Sequence, residues 1–315
     1  MKTILILGGF GFIGTNLIKH IECNILPYRV IVFDRFDHHP YGIQSSVIDR
    51  VYSGDFNDGV LLDDVFKENH IDWVFHCVSS TVPSKAFNAK YDIESNLVPT
   101  VGLLDLMVKY GVMKILFISS GGAVYGEKEL KPHREEDGLY PISPYGITKI
   151  AIEKYLFSYA TLYGIRPLVV RLSNPYGKFH YSLNQGIINV ALRAALKQQT
   201  FVVWGDGTAK KDYIYVEDFC DIVFFLIKKN IHSEVVNVAS GELLDVNSIL
   251  HKIKKIVPSF QWEYSEPAKL DVPCFALDTN KLDQFIGRRK FTSFEEGIGL
   301  TYKWLVDSLS KGAMV

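Results

Sequence analysis

Tyr145 and Lys149 stand four residues apart in Ser143-Pro144-Tyr145-Gly146-Ile147-Thr148-Lys149. Four residues is close to one helical turn, so on a helix the phenol and the ammonium share a face. A positive charge beside a phenol favours phenolate and makes tyrosine usable as a general base near neutral pH. Ser143 suits an N-cap and Pro144 the first helical position, so the helix begins at this pair. The chain has 17 tyrosines, so the spacing alone is not specific. Tyr110 and Lys114 also match it, but they lie where a helix runs into a strand with no glycine loop behind it, and we read them as structural. The pair at 145 and 149 follows a serine-rich strand end, Ser119-Ser120-Gly121-Gly122.

A second constellation lies at the N-terminus, in Gly8-Gly9-Phe10-Gly11-Phe12-Ile13-Gly14. Gly8 permits a tight turn, Gly11 lets backbone approach a pyrophosphate, and Gly14 lets helix and strand pack closely. The helix N-terminus offers free N–H groups and partial positive charge to phosphates. The spacing is G-x-x-G-x-x-G in place of the commoner G-x-G-x-x-G. Asp34 ends the second strand, where an acid accepts hydrogen bonds from a ribose 2′-OH and repels a 2′-phosphate. NAD is therefore favoured over NADP as the cofactor. Arg35 is either a softening of that preference or an exposed arginine. Asp55, in Gly54-Asp55-Phe56, either reaches the adenine or is a strand-end turn aspartate.

The elements that must position these groups are legible as apolar runs at Ile4–Leu7, Val30–Phe33, Trp73–Val78, Ile115–Ile118 and Leu168–Leu172. Their lack of polar alternation fits strands buried on both faces. Helix patterns at Gly14–Glu22, Val60–Asn69, Glu94–Tyr110 and Tyr145–Tyr163 separate them. This βαβ alternation predicts an α/β fold, a Rossmann-type doubly wound parallel sheet. Ligands then sit beyond the carboxyl ends of the strands, where the glycine loop and the Ser119–Gly122 tip both fall. After about Asn174 the segments shorten and mix. We divide the chain into a Rossmann domain over 1–174, with return segments near 208–240, and a smaller discontinuous α/β substrate lobe mainly over 175–315. Strand Val235–Ala239 rejoins the main sheet, and Ser293 with Glu296 reads as a capping box.

Composition narrows the function. The 315 residues carry 34 Lys and Arg against 35 Asp and Glu, a net charge of −1. That balance argues against a nucleic-acid partner. Cys23, Cys77, Cys220 and Cys274 show neither disulfide nor metal spacing, which suits a reducing cytoplasm. The histidines are scattered, so no metal is expected. No apolar run reaches membrane-spanning length.

Taken together, the motifs resemble the extended short-chain dehydrogenase/reductase family, particularly NAD-dependent nucleotide-sugar epimerases of the UDP-glucose 4-epimerase type. The resemblance runs from the glycine loop through Asp34, Gly54-Asp55-Phe56, Asn96, Val124-Tyr125-Gly126 and Tyr145/Lys149 to Asn174-Pro175-Tyr176-Gly177, Trp204-Gly205-Asp206-Gly207 and Asp212-Tyr213-Ile214. It implies that Gly8, Gly11, Phe12, Ile13, Gly14, Asp34, Asp55, Phe56, Val78, Asn96, Tyr145, Lys149 and Ser173 touch NAD. It also implies that Asn174, Trp204, Lys211 and Phe275 line a nucleotide-sugar pocket. From the residues alone, Trp204 and Phe275 read as core aromatics, Asn174 as a turn residue and Lys211 as surface. The implied reaction removes a proton from the sugar C4 hydroxyl to Tyr145 and a hydride to NAD⁺, turns the 4-keto sugar over, and returns hydride to the other face. Helices Glu94–Tyr110 and Tyr145–Tyr163 form a dimer bundle in similar proteins, which implies a homodimer.

Departures from the family pattern refine the expectation. The usual Ser/Thr, four residues before the tyrosine of Val124-Tyr125-Gly126, is Gly121 here. Ser120 is the nearest hydroxyl and takes that role, with Ser119 as the other choice and strand-end capping as the bland reading of both. Dehydratases resemble Thr-Asp-Glu where this chain has Gly121-Gly122-Ala123, and decarboxylases also carry an acid at the Ala123 position. Without those carboxylates, simple 4-epimerisation fits best. Lys211 stands where epimerases usually have arginine, and a second phosphate-binding arginine falls at Ala268, beside Lys269. Lysine lacks the rigid fork that grips a diphosphate. Phe275 falls where relatives gate the C2 substituent, hinting at a plain hexose or uronic acid. The alternatives are a keto-sugar reductase on the same scaffold and a non-catalytic NAD-binding protein, which would have no reason to keep both Tyr145 and Lys149.

Overall fold

A computed structural model describes residues 1–81, 88–126, 131–266 and 274–310. The first half runs β1 (Lys2–Leu7), α1 (Phe12–Cys23), β2 (Tyr28–Asp34), β3 (Ile48–Ser53), α2 (Gly59–Glu68), β4 (Trp73–His76), α3 (Ala89–Asp92), a π-helical turn (Ile93–Leu97), α4 (Val98–Lys109), β5 (Lys114–Ser120), the short α5 (Gly121–Val124), α6 (Pro144–Tyr163) and β6 (Arg166–Leu172). The second half runs β7 (Asn174–Tyr176), α7 (Ile187–Leu196), β8 (Phe201–Trp204), β9 (Lys210–Tyr215), α8 (Val216–Lys228), β10 (Glu234–Val238), β11 (Leu243–Asp245), α9 (Val246–Ile256), β12 (Trp262–Ser265), β13 (Cys274–Phe275), α10 (Asn280–Ile286) and α11 (Phe294–Ser310).

Seven strands form one parallel sheet in the order β10-β6-β5-β4-β1-β2-β3. Strand residues feed its two faces alternately, as the pleat requires. Ile4 and Ile6 of β1 join Leu17 and Ile21 of α1 and Phe219 of α8 on one side. Leu5 and Leu7 join Val65 of α2, Leu103 of α4 and Leu156 of α6 on the other. Both faces are therefore apolar, and the strands read as unbroken hydrophobic runs. The chain order reverses between β1 and β4, and that reversal opens the crevice where ligands sit in such sheets.

Three local differences from the sequence reading have physical causes. The predicted helix 94–110 starts earlier, at Ala89, and a π-turn interrupts it at Ile93–Leu97. The edge strand β3 carries exposed Asp49 and Arg50, so no apolar run announced it. Tyr110, set aside as structural, stacks on Phe66 with ring centroids 5.9 Å apart.

The smaller lobe holds a sheet in which β9 pairs with β7, β11 and β13, plus the β8–β12 ribbon. Helices α7, α9 and α11 cover it with Ile188, Leu192, Ile249, Ile253 and Leu305. Strand β9 belongs to this sheet, so the chain returns to the main lobe at α8 and β10, and again at α10 through Leu282. Ser293 Oγ accepts the Glu296 N–H at 3.3 Å at the start of α11. No described helix is long and apolar enough to cross a membrane.

Candidate active site

The loop after β1 is built around its glycines for different reasons. Gly8 has φ of +73°, and its N–H donates to the Phe33 carbonyl at 2.8 Å. A Cβ on Gly14 would sit 2.3 Å from the Gly8 oxygen, so only glycine lets α1 seat on the loop. Gly11 is unlike both. Its backbone is ordinary, with φ of −75°, and a Cβ there would meet only the Gly8 oxygen, at 3.3 Å. No strain demands glycine at this exposed position, and packing adds only that one close contact. The open space above it instead fits a ligand lying directly on the backbone.

Helix α1 also has no side-chain cap, whereas Asp58, Ser143 and Asp245 cap α2, α6 and α9. Its first-turn N–H groups, with half-buried Phe12 and Ile13, are thus left for an anion. Asp34 Oδ2 accepts the Phe10 N–H at 2.9 Å, so the acid shapes the loop as well as presenting charge. Burial raises its pKa, against the opposing pull of that N–H. These features together fit a dinucleotide.

The other residues expected at the cofactor divide. Val78 follows β4 against the loop, its backbone nitrogen 3.2 Å from where a Gly8 Cβ would stand. Asp55 forms a turn, accepting the Asn57 N–H and side-chain amide at 2.9 Å each, and pairs with Arg35 at 3.5 Å. The Phe56 ring is a core group instead: it is 6% exposed and meets His76 edge-on, which leaves only its backbone for a ligand. Asn96 is likewise turned into the protein, accepting the Ser80 N–H at 2.9 Å and donating to Asp92 Oδ1 at 2.9 Å. Ser173 is buried at the end of β6, beside Asp212.

Ser143 Oγ accepts the Gly146 N–H at 3.2 Å and starts α6, which sets Tyr145 and Lys149 on one face. The Lys149 Nζ donates to the Ile118 carbonyl at 2.8 Å and lies 4.7 Å from the Phe117 ring centre and 5.6 Å from that of Tyr145. The hydroxyls of Ser120 and Ser79 lie by the Tyr145 phenol and pull its pKa down. Ser119 is excluded from this group: its hydroxyl donates to Glu153 at 2.5 Å, and Arg171 grips the same carboxylate at 2.7 Å.

The electrostatics depart from the simple expectation of a lowered tyrosine pKa. Burial pushes Tyr145 up to about 12, and the negative charge of Asp92 adds to it, outweighing the serine hydroxyls. Burial pushes Lys149 down to about 8. In the protein alone, the ammonium beside the phenol does not overcome desolvation.

A hollow of about 900 Å³ in the small lobe is lined by Asn174, Trp204 and Lys211, among others. Asn174 Nδ2 donates to the Asp212 carbonyl at 2.8 Å, and Trp204 is 65% exposed, so neither is the bland turn or core residue. Phe275 is different. It is 4% exposed, lines neither this hollow nor the adjoining one, and packs with Leu277 against the tip of β5. A Cβ on Gly121 would lie 2.7 Å from Leu277 Cδ1 and 3.2 Å from Phe275 Cζ. These two side chains take the space that a Ser/Thr side chain at this position would need, which accounts for the glycine. Ala268 and Lys269 lie outside the described residues.

A profile of the NAD dependent epimerase/dehydratase family matches residues 4–239, most of the chain. The protein belongs to this family. NAD is its cofactor, and the extended short-chain dehydrogenase resemblance holds. A Methanocaldococcus jannaschii protein provisionally named UDP-glucose 4-epimerase is 32% identical over 309 residues, covering 96% of this chain and 98% of the relative. The solved UDP-glucose 4-epimerase of Thermotoga maritima, determined with UDP-glucose, is 29% identical with a TM-score of 0.88, covering 98% and 99%. Escherichia coli dTDP-4-dehydro-6-deoxyglucose reductase is 27% identical over 306 residues, covering 94% and 95%. Sequence reasoning missed two groups in this epimerase/dehydratase-family site, Ser79 and Asp92. Ser79 follows β4 at the carboxyl edge of the sheet, a position the switch-point rule singles out. Asp92 had no signal beyond its spacing of four from Asn96.

Proposed function

We propose that this family member is an NAD-dependent nucleotide-sugar 4-epimerase acting on a UDP-hexose through a transient 4-keto sugar. The observation that carries the reading is the tip of β5. There the Ser120 hydroxyl meets the Tyr145 phenol, while Gly121-Gly122-Ala123 brings no carboxylate. Oxidising a sugar hydroxyl needs a base and a hydrogen-bond donor at one oxygen. Eliminating water needs an added acid and a carbon base, and this tip supplies neither.

The glycine loop, the first turn of α1, Asp34 and Val78 would hold the cofactor, which when bound supplies reversible hydride acceptance at C4. Tyr145 takes the C4 hydroxyl proton as the ketone forms and returns it when the alcohol is restored. Ser120 donates a hydrogen bond to the same oxygen. Lys149 holds a positive charge behind the phenol and stabilises phenolate in the working complex. Asn174, Trp204 and Lys211 line the nucleotide end. Because the ketone is planar at C4, hydride can return to either face while O4 takes its proton back, and return to the opposite face gives net inversion without loss of cofactor.

The test is NMR of the protein with catalytic NAD and a panel of UDP-hexoses, UDP-N-acetylhexosamines and UDP-hexuronic acids, beside Tyr145→Phe. A C4 epimer reaching a fixed ratio, absent with the variant, is expected. No product in any sample at full NAD occupancy refutes the UDP-sugar reading. The reductase among the relatives supports a second reading, reduction of a 4-keto sugar. It requires NADH consumption equal to product, which the epimerase reading forbids. We also propose a homodimer through α4 and α6, whose Val98, Ile147 and Tyr155 are exposed apolar residues. Light scattering should return twice the chain mass.

A further inference from the structure

Asp92 ends α3, immediately before the π-turn Ile93–Leu97, and is only 1% exposed. Asn96 donates to its Oδ1 at 2.9 Å and to its backbone carbonyl at 3.1 Å, and the Thr81 hydroxyl donates to the same Oδ1. Its Oδ2 has no hydrogen-bond partner, and among the described residues no cation pairs with it. An unpaired buried carboxylate is costly and calls for a reason. A π-turn is an irregularity that helices keep mostly at functional positions. Here it accompanies an inward-facing Asp92 and Asn96 at the end of β4, where Asn96 Oδ1 accepts the Ser80 N–H at 2.9 Å. Helix α3 packs on α6, and the Asp92 charge acts on both Tyr145 and Lys149.

We propose that Asp92 is a positioning residue for the catalytic pair: it fastens Asn96 and Thr81 over the end of β4 and presents a buried carboxylate to Tyr145 and Lys149. The inference rests on Tyr145 being the base. The charge favours the ammonium of Lys149 and opposes the phenolate of Tyr145, so the base stays protonated until further positive charge arrives. The groups that face this pair are few. From β4 and its end come neutral His76 and Cys77, and from α6 comes Glu153, which acts on Lys149. On the stretch of Asp92 itself, Lys90 and Glu94 are exposed and pair with each other at 3.7 Å.

The test follows Tyr145 ionisation directly, in NAD-loaded protein carrying ¹³Cζ-tyrosine, with the resonance assigned by its loss in Tyr145→Phe. Asp92→Asn keeps a hydrogen-bond acceptor and removes the charge. It should move the Tyr145 midpoint down by about one pH unit, roughly tenfold more phenolate at a given pH. Asp92→Ala serves the same reading if the asparagine variant does not fold. A folded variant with an unchanged or raised midpoint overturns the proposal, as does one that loses thermal stability alone. The titration uses no sugar, so its outcome is separate from that of the epimer panel.

Discussion

Gly121→Ala isolates the claim that Leu277 and Phe275 occupy the place of the missing Ser/Thr side chain. Gly121 opens α5 without a positive φ, so added methyl strains nothing in the backbone. In a helix, alanine is favoured over glycine by up to about 1 kcal/mol. Against that stands a Cβ 2.7 Å and 3.0 Å from the two Leu277 methyls, both needing to move in a filled cluster. Overpacking of this kind costs about 1–3 kcal/mol. The net expectation is destabilisation by about 0–2 kcal/mol. With about 2.1 cal/mol/K of unfolding entropy per residue over 315 residues, that is a Tm loss of up to about 3 °C. The sharper reading is a double-mutant cycle with Leu277→Ala. That substitution alone costs about 2–5 kcal/mol. In its background the obstruction is gone, and Gly121→Ala should become neutral or stabilising. Denaturant unfolding of the four proteins should therefore give a coupling of at least 1 kcal/mol. Additive effects, within about 0.5 kcal/mol, would refute the steric account. Activity offers a second readout: Gly121→Ser should not rescue Ser120→Ala, because Leu277 and Phe275 fill the space that a side chain at 121 would need.

Gly11→Ala and Gly14→Ala should separate binding from folding: the first weakens NAD binding, read by calorimetry, at unchanged stability, whereas the second loses both. Lys149→Met should abolish turnover yet stabilise the cofactor-free protein by on the order of 2 kcal/mol at pH 7, because burial penalises the ammonium. The folded form of wild type holds fewer protons than the unfolded between about pH 8 and the ordinary lysine value, so wild-type stability rises there and the variant's advantage in urea unfolding should shrink. Burial lowers His76 to about 3 and His39 and His180 to about 4. The unfolded chain then takes up protons that the folded chain refuses, and stability should fall as pH drops from 6.5 toward 4, by up to about 4 kcal/mol per unit. His39→Gln should reduce that slope by about a third in urea unfolding across the same range.

The main sheet was legible because each central strand is buried on both faces: Ile4 to Leu7 must all be apolar when alternate residues enter opposite cores. Strand β3 hid for the converse reason, since an edge strand with Asp49 and Arg50 in solvent leaves no hydrophobic signature. The glycine loop and the Tyr145/Lys149 turn could be read because their geometry is local. Phe275 could not, because its fate depends on Gly121, 154 residues away in sequence, and only the fold shows ring and strand tip competing for one space. Ser119 and Ser120 posed a similar problem. Adjacent strand residues point to opposite faces. Tyr145 and Glu153 both lie on α6, so which serine comes to the phenol and which to the Glu153–Arg171 pair is a tertiary fact.

The pKa values of the catalytic pair turn this layout into a condition on when the chemistry can run. A phenol near 12 is a poor base at neutral pH, and bringing it to about 7 requires about 7 kcal/mol of preferential stabilisation of phenolate. The hydroxyls of Ser120 and Ser79 already act on it and leave it at 12. Lys149, near 8, is charged at pH 7, but its Nζ is committed to the Ile118 carbonyl. Further stabilisation must come from positive charge brought in from outside the chain. A unit charge about 5 Å away supplies about 3 kcal/mol at an effective dielectric of 20, and more as water is expelled. Oxidised NAD carries such a charge on its nicotinamide ring and reduced NAD does not. On the proposed mechanism the buried site makes proton abstraction by Tyr145 strong when a hydride acceptor is bound and weak otherwise, so that loss of the proton from the hydroxyl oxygen is coupled to loss of hydride from its carbon. An exposed tyrosine with an ordinary pKa would lack that discrimination.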